Sequence, residues 1–382
     1  MALKGIKVLE MAGLAPSPFC GTILRDFGAD VIRVDKVKPG VLDVIDKLAP
    51  GKRSIAIDLK DPKGVDVVRS IAKQSDVFLE PYRKGVMEKL KLGPDELMKL
   101  NSKLVYARLS GYGHSGSLAK KAGHDINYIA QSGLLSFLGK DGSPPTFPIN
   151  LLADFAGGGM ICAFGICMAL LERERSGLGQ VIDSSMVEGS SYLSTWLWRS
   201  QDLFIWGNKR GKNVLDGGAA FYNTYKTKDD KYMAVGALES SFYSELLKGL
   251  GINEEEFPQP SMLGQEAIDE FSKIFSEKTQ NEWVKIFENL DACVSPVLDR
   301  QTAPIELHNQ QRNSFNYNDQ EGCYEPNPAP KLSRTPGFRH LESPTVGQHS
   351  TEILKEYGYS KKEIDSLLDN RIISTFAPTS KL

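Results

Sequence analysis

The first 110 residues alternate short apolar segments with amphipathic ones, and this alternation limits the fold more than any other feature. Residues 6–11, 30–35, 54–58, 77–80 and 104–109 read as strands bounded by turn residues. Between them, residues 19–27, 62–73 and 94–100 read as helices. Pro18 and Pro62 sit where proline is tolerated, in a first helical turn, and Gly28 ends the first helix. Strands that alternate with helices form a parallel sheet. The turn after the first strand, Gly13-Leu14-Ala15-Pro16-Ser17-Pro18, lacks the G-x-G-x-x-G spacing, which argues against a nicotinamide dehydrogenase.

A chain of 382 residues exceeds one ordinary core, so two or three domains are expected. The character changes near Trp206–Gly218. Residues 221–226 and 232–235 then read as a hairpin, and Pro326, Pro328, Pro330 and Pro336 mark an extended segment. The expected division is a large α/β domain over 1–220, a small α+β domain over 221–330, and a return segment over 331–382 that ends in short helices and a tail.

Several function classes recede. A net charge of −2 gives no support to nucleic-acid binding. The five cysteines are scattered, with neither a CxxC pair nor a Cys/His cluster, so no metal is expected and a reducing compartment fits. The apolar run 155–171 is shorter than a membrane span, so a buried helix and no membrane partner are expected. No secretory signal is evident at the N-terminus. The last residues, Ser380-Lys381-Leu382, match the tripeptide read by the peroxisomal import receptor, which gives an expected partner and compartment.

Basic residues gather after the strands. Lys36, Lys38, Lys47, Lys52, Arg53 and Lys60 follow the second and third; Arg83, Lys84 and Lys89 follow the fourth. Ligands of such sheets bind beyond the carboxyl ends of the strands, so these cations suit a phosphate-bearing ligand. A solvated surface charge set is the competing reading.

Residues 123–159 offer proton-transfer groups. His124 is one of five histidines, and Asp154 precedes three glycines and an apolar run, where a carboxylate favours a helix start. Both groups move protons near neutral pH once their surroundings tune them. A plain helix cap and a loop histidine fit the same pattern.

Gly123-His124-Asp125-Ile126-Asn127-Tyr128, Asn150-Leu151-Leu152-Ala153-Asp154-Phe155 and Ala234-Val235-Gly236-Ala237-Leu238-Glu239, in that order and spacing, resemble the α-methylacyl-CoA racemase branch of the family III CoA-transferase group. The likeness spans nearly the whole chain. It implies a Rossmann-like large domain, a smaller α+β domain and an interlocked homodimer with the active site between domains of different chains. It implies an acyl-CoA substrate, with coenzyme A part of that substrate and no separate cofactor or metal. It assigns His124 and Asp154 as bases on opposite faces of the α-carbon, Glu239 as carboxylate partner of the histidine, and Asn150 as a residue that steadies the pair by hydrogen bonding. A main-chain N–H near Asp154 would meet the enolate oxygen. Lys36 and Lys89 match residues that grip CoA phosphates, with Arg83 and Lys60 as further contacts; Met160, Met186 and Tyr222 are candidates for the acyl tail. Peroxisomal β-oxidation of 2-methyl-branched acyl and bile-acid-precursor chains is the implied setting, with a mitochondrial share left open. The same fold hosts CoA transfer with an aspartate nucleophile at the position of Asp154. A non-catalytic acyl-CoA carrier is a further alternative, against which the intact set of His124, Asp154 and Glu239 argues.

Overall fold

The computed structural model describes residues 1–38 and 46–375, so the tripeptide Ser380-Lys381-Leu382 lies outside the described residues. The chain forms two compact units. The first comprises Met1–Ser132, Pro148–Leu193 and Phe315–Leu382; the second comprises Gly133–Phe147 and Ser194–Ser314. Where the sequence suggested breaks at 220 and 330, residues 133–147 and 194–220 cluster with the second unit and 315–330 with the first.

The first unit is built on a seven-stranded sheet. Its strands are β1 (Lys7–Met11), β2 (Asp30–Lys36), β3 (Arg53–Ile57), β4 (Val77–Glu80), β5 (Val105–Ser110) and β6 (Val181–Ser185). They lie parallel in the order β3-β2-β1-β4-β5-β6. A short C-terminal strand, Ile373–Ser374, adds antiparallel to β3 and was not anticipated. Connections reverse direction between β1 and β4, the switch point where such sheets open a crevice. Strands β4 and β5 are buried at every position, as expected when helices cover both faces. The core joins Leu9, Ile32, Phe78 and Tyr106 of the sheet to Val67 and Ile71 of the helix Pro62–Ala72. Ile353 and Leu354 of the helix Ser350–Glu356 close the same cluster.

Some of the cations read as ligand contacts are structural. Lys52 is fully buried, and its ammonium donates to Glu10 Oε1 at 2.9 Å, Glu10 Oε2 at 2.8 Å and the Pro18 carbonyl at 2.8 Å. Its three donors are therefore consumed. Arg53 pairs with Asp30 and, at 2.7 Å, with Glu356. Lys47 pairs with Glu321 at 2.7 Å. Sequence spacing cannot distinguish these from free surface charges, because each partner comes from elsewhere in the chain.

The second unit carries an antiparallel sheet of β7 (Tyr222–Lys226), β8 (Tyr232–Gly236) and β9 (Val294–Pro296). The hairpin was expected; β9 was not. Tyr225 stacks on Phe275 at 4.9 Å, and Phe271 and Trp283 complete an aromatic core between the sheet and the helices Gln265–Phe275 and Gln280–Phe287.

Candidate active site

His124 and Asp154 both lie on the crossover from β5 to β6. His124 is extended, with φ −134° and ψ 177°, and immediately precedes the helix Asp125–Gln131. Its backbone N–H donates to Asn127 Oδ1 at 3.0 Å, which fixes the entry into that helix. Tyr128 anchors the loop from behind: its hydroxyl donates to the Gly123 carbonyl, and its ring stands edge-on to Tyr112 at 5.1 Å. A Cβ on Gly111 would come within 2.1 Å of the Tyr128 ring, so the glycine makes room for this anchor. His124 itself is exposed on the first unit.

Asp154 does not begin its helix. The helical segment starts at Leu151, runs as a π-helix to Met160 and continues as an α-helix over Ile161–Ser176. Wide i→i+5 turns are rare and often accompany functional sites. The glycines allow a close crossing: a Cβ on Gly189, in the helix Met186–Leu193, would lie 1.8 Å from the Gly157 carbonyl oxygen. The continuous helix Leu151–Ser176 has 26 residues and a window of mean hydropathy 1.7, so it is longer than the run 155–171 suggested and passes a membrane span's length and composition test.

The carboxylate that satisfies this helix start is Asp125. Its Oδ2 accepts from the Ala153 N–H at 2.7 Å and the Asp154 N–H at 2.8 Å. The Ala153 and Asp154 N–H groups are therefore already taken, so an N–H near Asp154 that meets an enolate oxygen would have to come from another residue of the helix start. Asn150 Nδ2 donates to Asp154 Oδ2 at 3.2 Å. Asp154 is half-buried, and burial pushes its pKa above the ordinary aspartate value; the Asn150 bond pulls it down, the Asp125 charge pushes it up and His124 pulls it down. His124 and Asp154 are thus within electrostatic reach of each other.

Glu239 belongs to the second unit. It is exposed and precedes the helix Ser240–Leu250, where its carbonyl accepts from the Tyr243 N–H at 2.9 Å. Burial, Asp291 and the Glu239 charge raise the pKa of the nearby Cys293 thiol. Tyr222, Asn223, Gly236 and Cys293 help line a cavity of about 610 Å³ in this unit. Within the first unit, then, the structure groups His124, Asn150, Asp154 and Asp125; Glu239 lies on the other unit.

The four cation candidates all follow carboxyl ends of strands. Lys36 ends β2, and Lys60 follows β3. Beyond β4, Arg83 donates to the Lys120 carbonyl at 3.1 Å, and Lys89 ends the short helix Val86–Lys89. All four are exposed. Beside them is a group the sequence reading missed. Arg108 bridges Glu80 and Glu88, at 2.8 Å to each, and burial pushes Glu80 up to about 7. Among the described residues, no group of three or more His, Cys, Asp or Glu side chains is placed to hold a metal ion.

Known proteins resemble this chain in sequence and in fold. The profile of CoA-transferase family III matches residues 3–350. The α-methylacyl-CoA racemase of Mus musculus is 52% identical over 378 residues, covering 98% of this chain and 98% of that protein. That of Homo sapiens is 51% identical with the same coverage. A CaiB/BaiF family protein from Brucella suis superposes with a TM-score of 0.76 at 22% identity, covering 93% of this chain and 99% of that one, and shares the fold.

Proposed function

The chain belongs to CoA-transferase family III, and from that premise we propose that it is an α-methylacyl-CoA racemase, an isomerase interconverting (2R)- and (2S)-2-methylacyl-CoA thioesters. The observation that carries this reading is the match to curated racemases along 98% of the chain at about half identity. The site chemistry agrees with it. A thioester acidifies its α-hydrogen because the resulting enolate is delocalised, so inversion needs one base on each face. His124 and Asp154 serve as these bases. In one direction, the Asp154 carboxylate removes the proton while the His124 imidazolium delivers one to the other face; the reverse direction exchanges their roles. A half-buried aspartate with a raised pKa holds a proton more readily than an ordinary one, which suits a group that must both take and return a proton.

Glu239 is assigned as the histidine's carboxylate partner on the family resemblance, and Asn150 steadies the Asp154 carboxylate by the bond already described. Lys36, Lys60, Arg83 and Lys89 contact the CoA phosphates, an assignment supported by their position past the strand ends. Met160, 54% exposed, and Tyr222, 37% exposed, are assigned to the acyl tail, whereas Met186 is 6% exposed and belongs to the core. No metal or redox cofactor takes part, and neither a membrane nor nucleic acid is a partner. The protein acts as an interlocked homodimer. Supporting this, Met160, Phe164, Met168 and Leu171 form an apolar stripe, each 49–60% exposed on the single chain, that a second chain would cover. Ser380-Lys381-Leu382 directs it to peroxisomes, where branched fatty acyl and bile-acid-precursor thioesters feed β-oxidation.

The test is chiral analysis of (2R)-2-methylacyl-CoA incubated with purified protein in heavy water. Racemisation with one deuterium gained at the α-carbon is expected. Absence of exchange, with CoA transfer appearing when a second acid is supplied, would replace this reading with transfer through Asp154.

A further inference from the structure

We infer that Asp125 is the positioning residue that sets the Asp154 carboxyl against the histidine loop. The inference rests on the racemase reading above. Three observations carry it. A single oxygen, Asp125 Oδ2, accepts two consecutive backbone N–H groups, from Ala153 at 2.7 Å and Asp154 at 2.8 Å. These bonds span 28 and 29 residues of chain, so they join two separate segments rather than closing a local turn. Asp125 is also the residue next to His124, so one side chain ties the base-bearing loop to the base-bearing helix.

The burial pattern sharpens the point. Asp125 is 3% exposed, while His124 beside it is exposed. The other oxygen, Asp125 Oδ1, is buried without a hydrogen-bond partner among the described residues. A helix cap needs only an acceptor, which an asparagine or serine supplies without burying charge. Here a full carboxylate is kept, and it acts on Asp154 in two ways. It fixes the backbone from which the Asp154 side chain projects, while Asn150 holds the side chain's far end. Its charge also raises the proton affinity of Asp154. The titratable groups bearing on Asp154 in this unit are Asp125, His124 and the Tyr128 hydroxyl.

The experiment uses the full-length enzyme and two variants, Asp125→Asn and Asp125→Ala, read by α-deuterium exchange across pH. Asn keeps an acceptor and removes the charge; Ala removes both. Misplacing a catalytic group by about 1 Å costs roughly 100-fold in rate. Asp125→Ala is expected to lose about 100-fold in kcat with KM within about twofold of wild type, since nothing that grips CoA has changed. Asp125→Asn is expected to recover most of kcat and to shift the acidic limb of the kcat/KM profile to lower pH. A structural cap alone would lower melting temperature without moving that limb. The inference is overturned if Asp125→Ala exchanges within about threefold of wild type, or if the limb of Asp125→Asn stays put. Should Asp125→Ala fail to fold, the limb of Asp125→Asn decides by itself. Failure of wild type to exchange at all would instead remove the racemase reading and leave the tie between the two segments standing.

Discussion

Replacing Lys52 with methionine tests the role of its buried pair with Glu10. Both side chains are 0% exposed, and the ammonium's three donors go to Glu10 Oε1, Glu10 Oε2 and the Pro18 carbonyl at 2.8–2.9 Å. Methionine fills similar volume but leaves the Glu10 charge in a dry interior. Removing one partner of such a pair costs about 3–5 kcal/mol. At roughly 2 °C per kcal/mol for a large domain, the melting temperature falls by about 6–10 °C. The loss depends on pH. Burial already raises the Glu10 pKa, with Lys52 opposing. A carboxyl whose folded pKa is raised contributes stability in full below its unfolded pKa, about 4.3, and loses it as pH rises through the folded value. Without Lys52 the folded value climbs further, so Lys52→Met should be penalised more at about pH 8 than at about pH 5.5. A second change, Glu10→Gln, removes the stranded charge and should restore at least half the loss. Urea unfolding of wild type, the single variant and the double variant at both pH values measures each term. A loss under about 1 kcal/mol at the higher pH, or an equal loss at both, would refute the reasoning.

Asp154→Asn should abolish most α-proton exchange, about 100-fold or more, while the far-ultraviolet circular dichroism spectrum stays unchanged. The direction that needs ionised Asp154 should lose activity, as pH falls, at a higher pH than an ordinary aspartate would dictate, because its pKa is raised. Gly189→Ala places a methyl where the gap to the Gly157 carbonyl oxygen is 1.8 Å, so it should cost about 1–3 kcal/mol in urea unfolding and lower kcat by displacing the Asp154 segment. Lys89→Glu should raise KM for acyl-CoA with little change in kcat, an effect that shrinks as salt is added; an unchanged KM would remove Lys89 from the phosphate contacts.

The parallel sheet was legible because its signal is local. Each strand is a short apolar run, and three of the helices open on a proline, at Pro16, Pro62 and Pro94, the second capped by Asp61, whose carboxylate accepts from the Lys63 N–H at 2.8 Å. What stayed hidden depends on partners distant in sequence. Lys52 and Lys36 look alike in a basic loop, yet only folding brings Glu10 to the first. Asp154 reads as a helix cap because it precedes glycines and an apolar run, but the cap is supplied by Asp125, 29 residues away. The π-helical turn escaped for a related reason. Three consecutive glycines each disfavour a helix by about 1 kcal/mol, and only the crossing with Gly189 and the contact of Gly159 with Pro16 supply a reason for them.

Topology explains why His124 and Asp154 share one edge of the sheet. Strands β5 and β6 are parallel, with Tyr106 opposite Val181 and Ser110 opposite Ser185. The chain leaves β5 at the carboxyl edge and must return to the amino edge to enter β6. Whatever follows Ser110 directly, including the loop that bears His124, therefore starts at the carboxyl edge. The return is made by the helix Leu151–Ser176, whose first turn must lie at that same edge and whose last must lie near Val181. Its α-helical part alone, 16 residues over Ile161–Ser176, descends about 24 Å at 1.5 Å per residue, so a carboxylate at the far end would be out of reach. Asp154 stands in the first turn, where the descending helix begins. The crossover thus brings the His124 loop and the Asp154 segment to the edge where parallel sheets bind ligands, and the Asp125 carboxylate ties the two segments together.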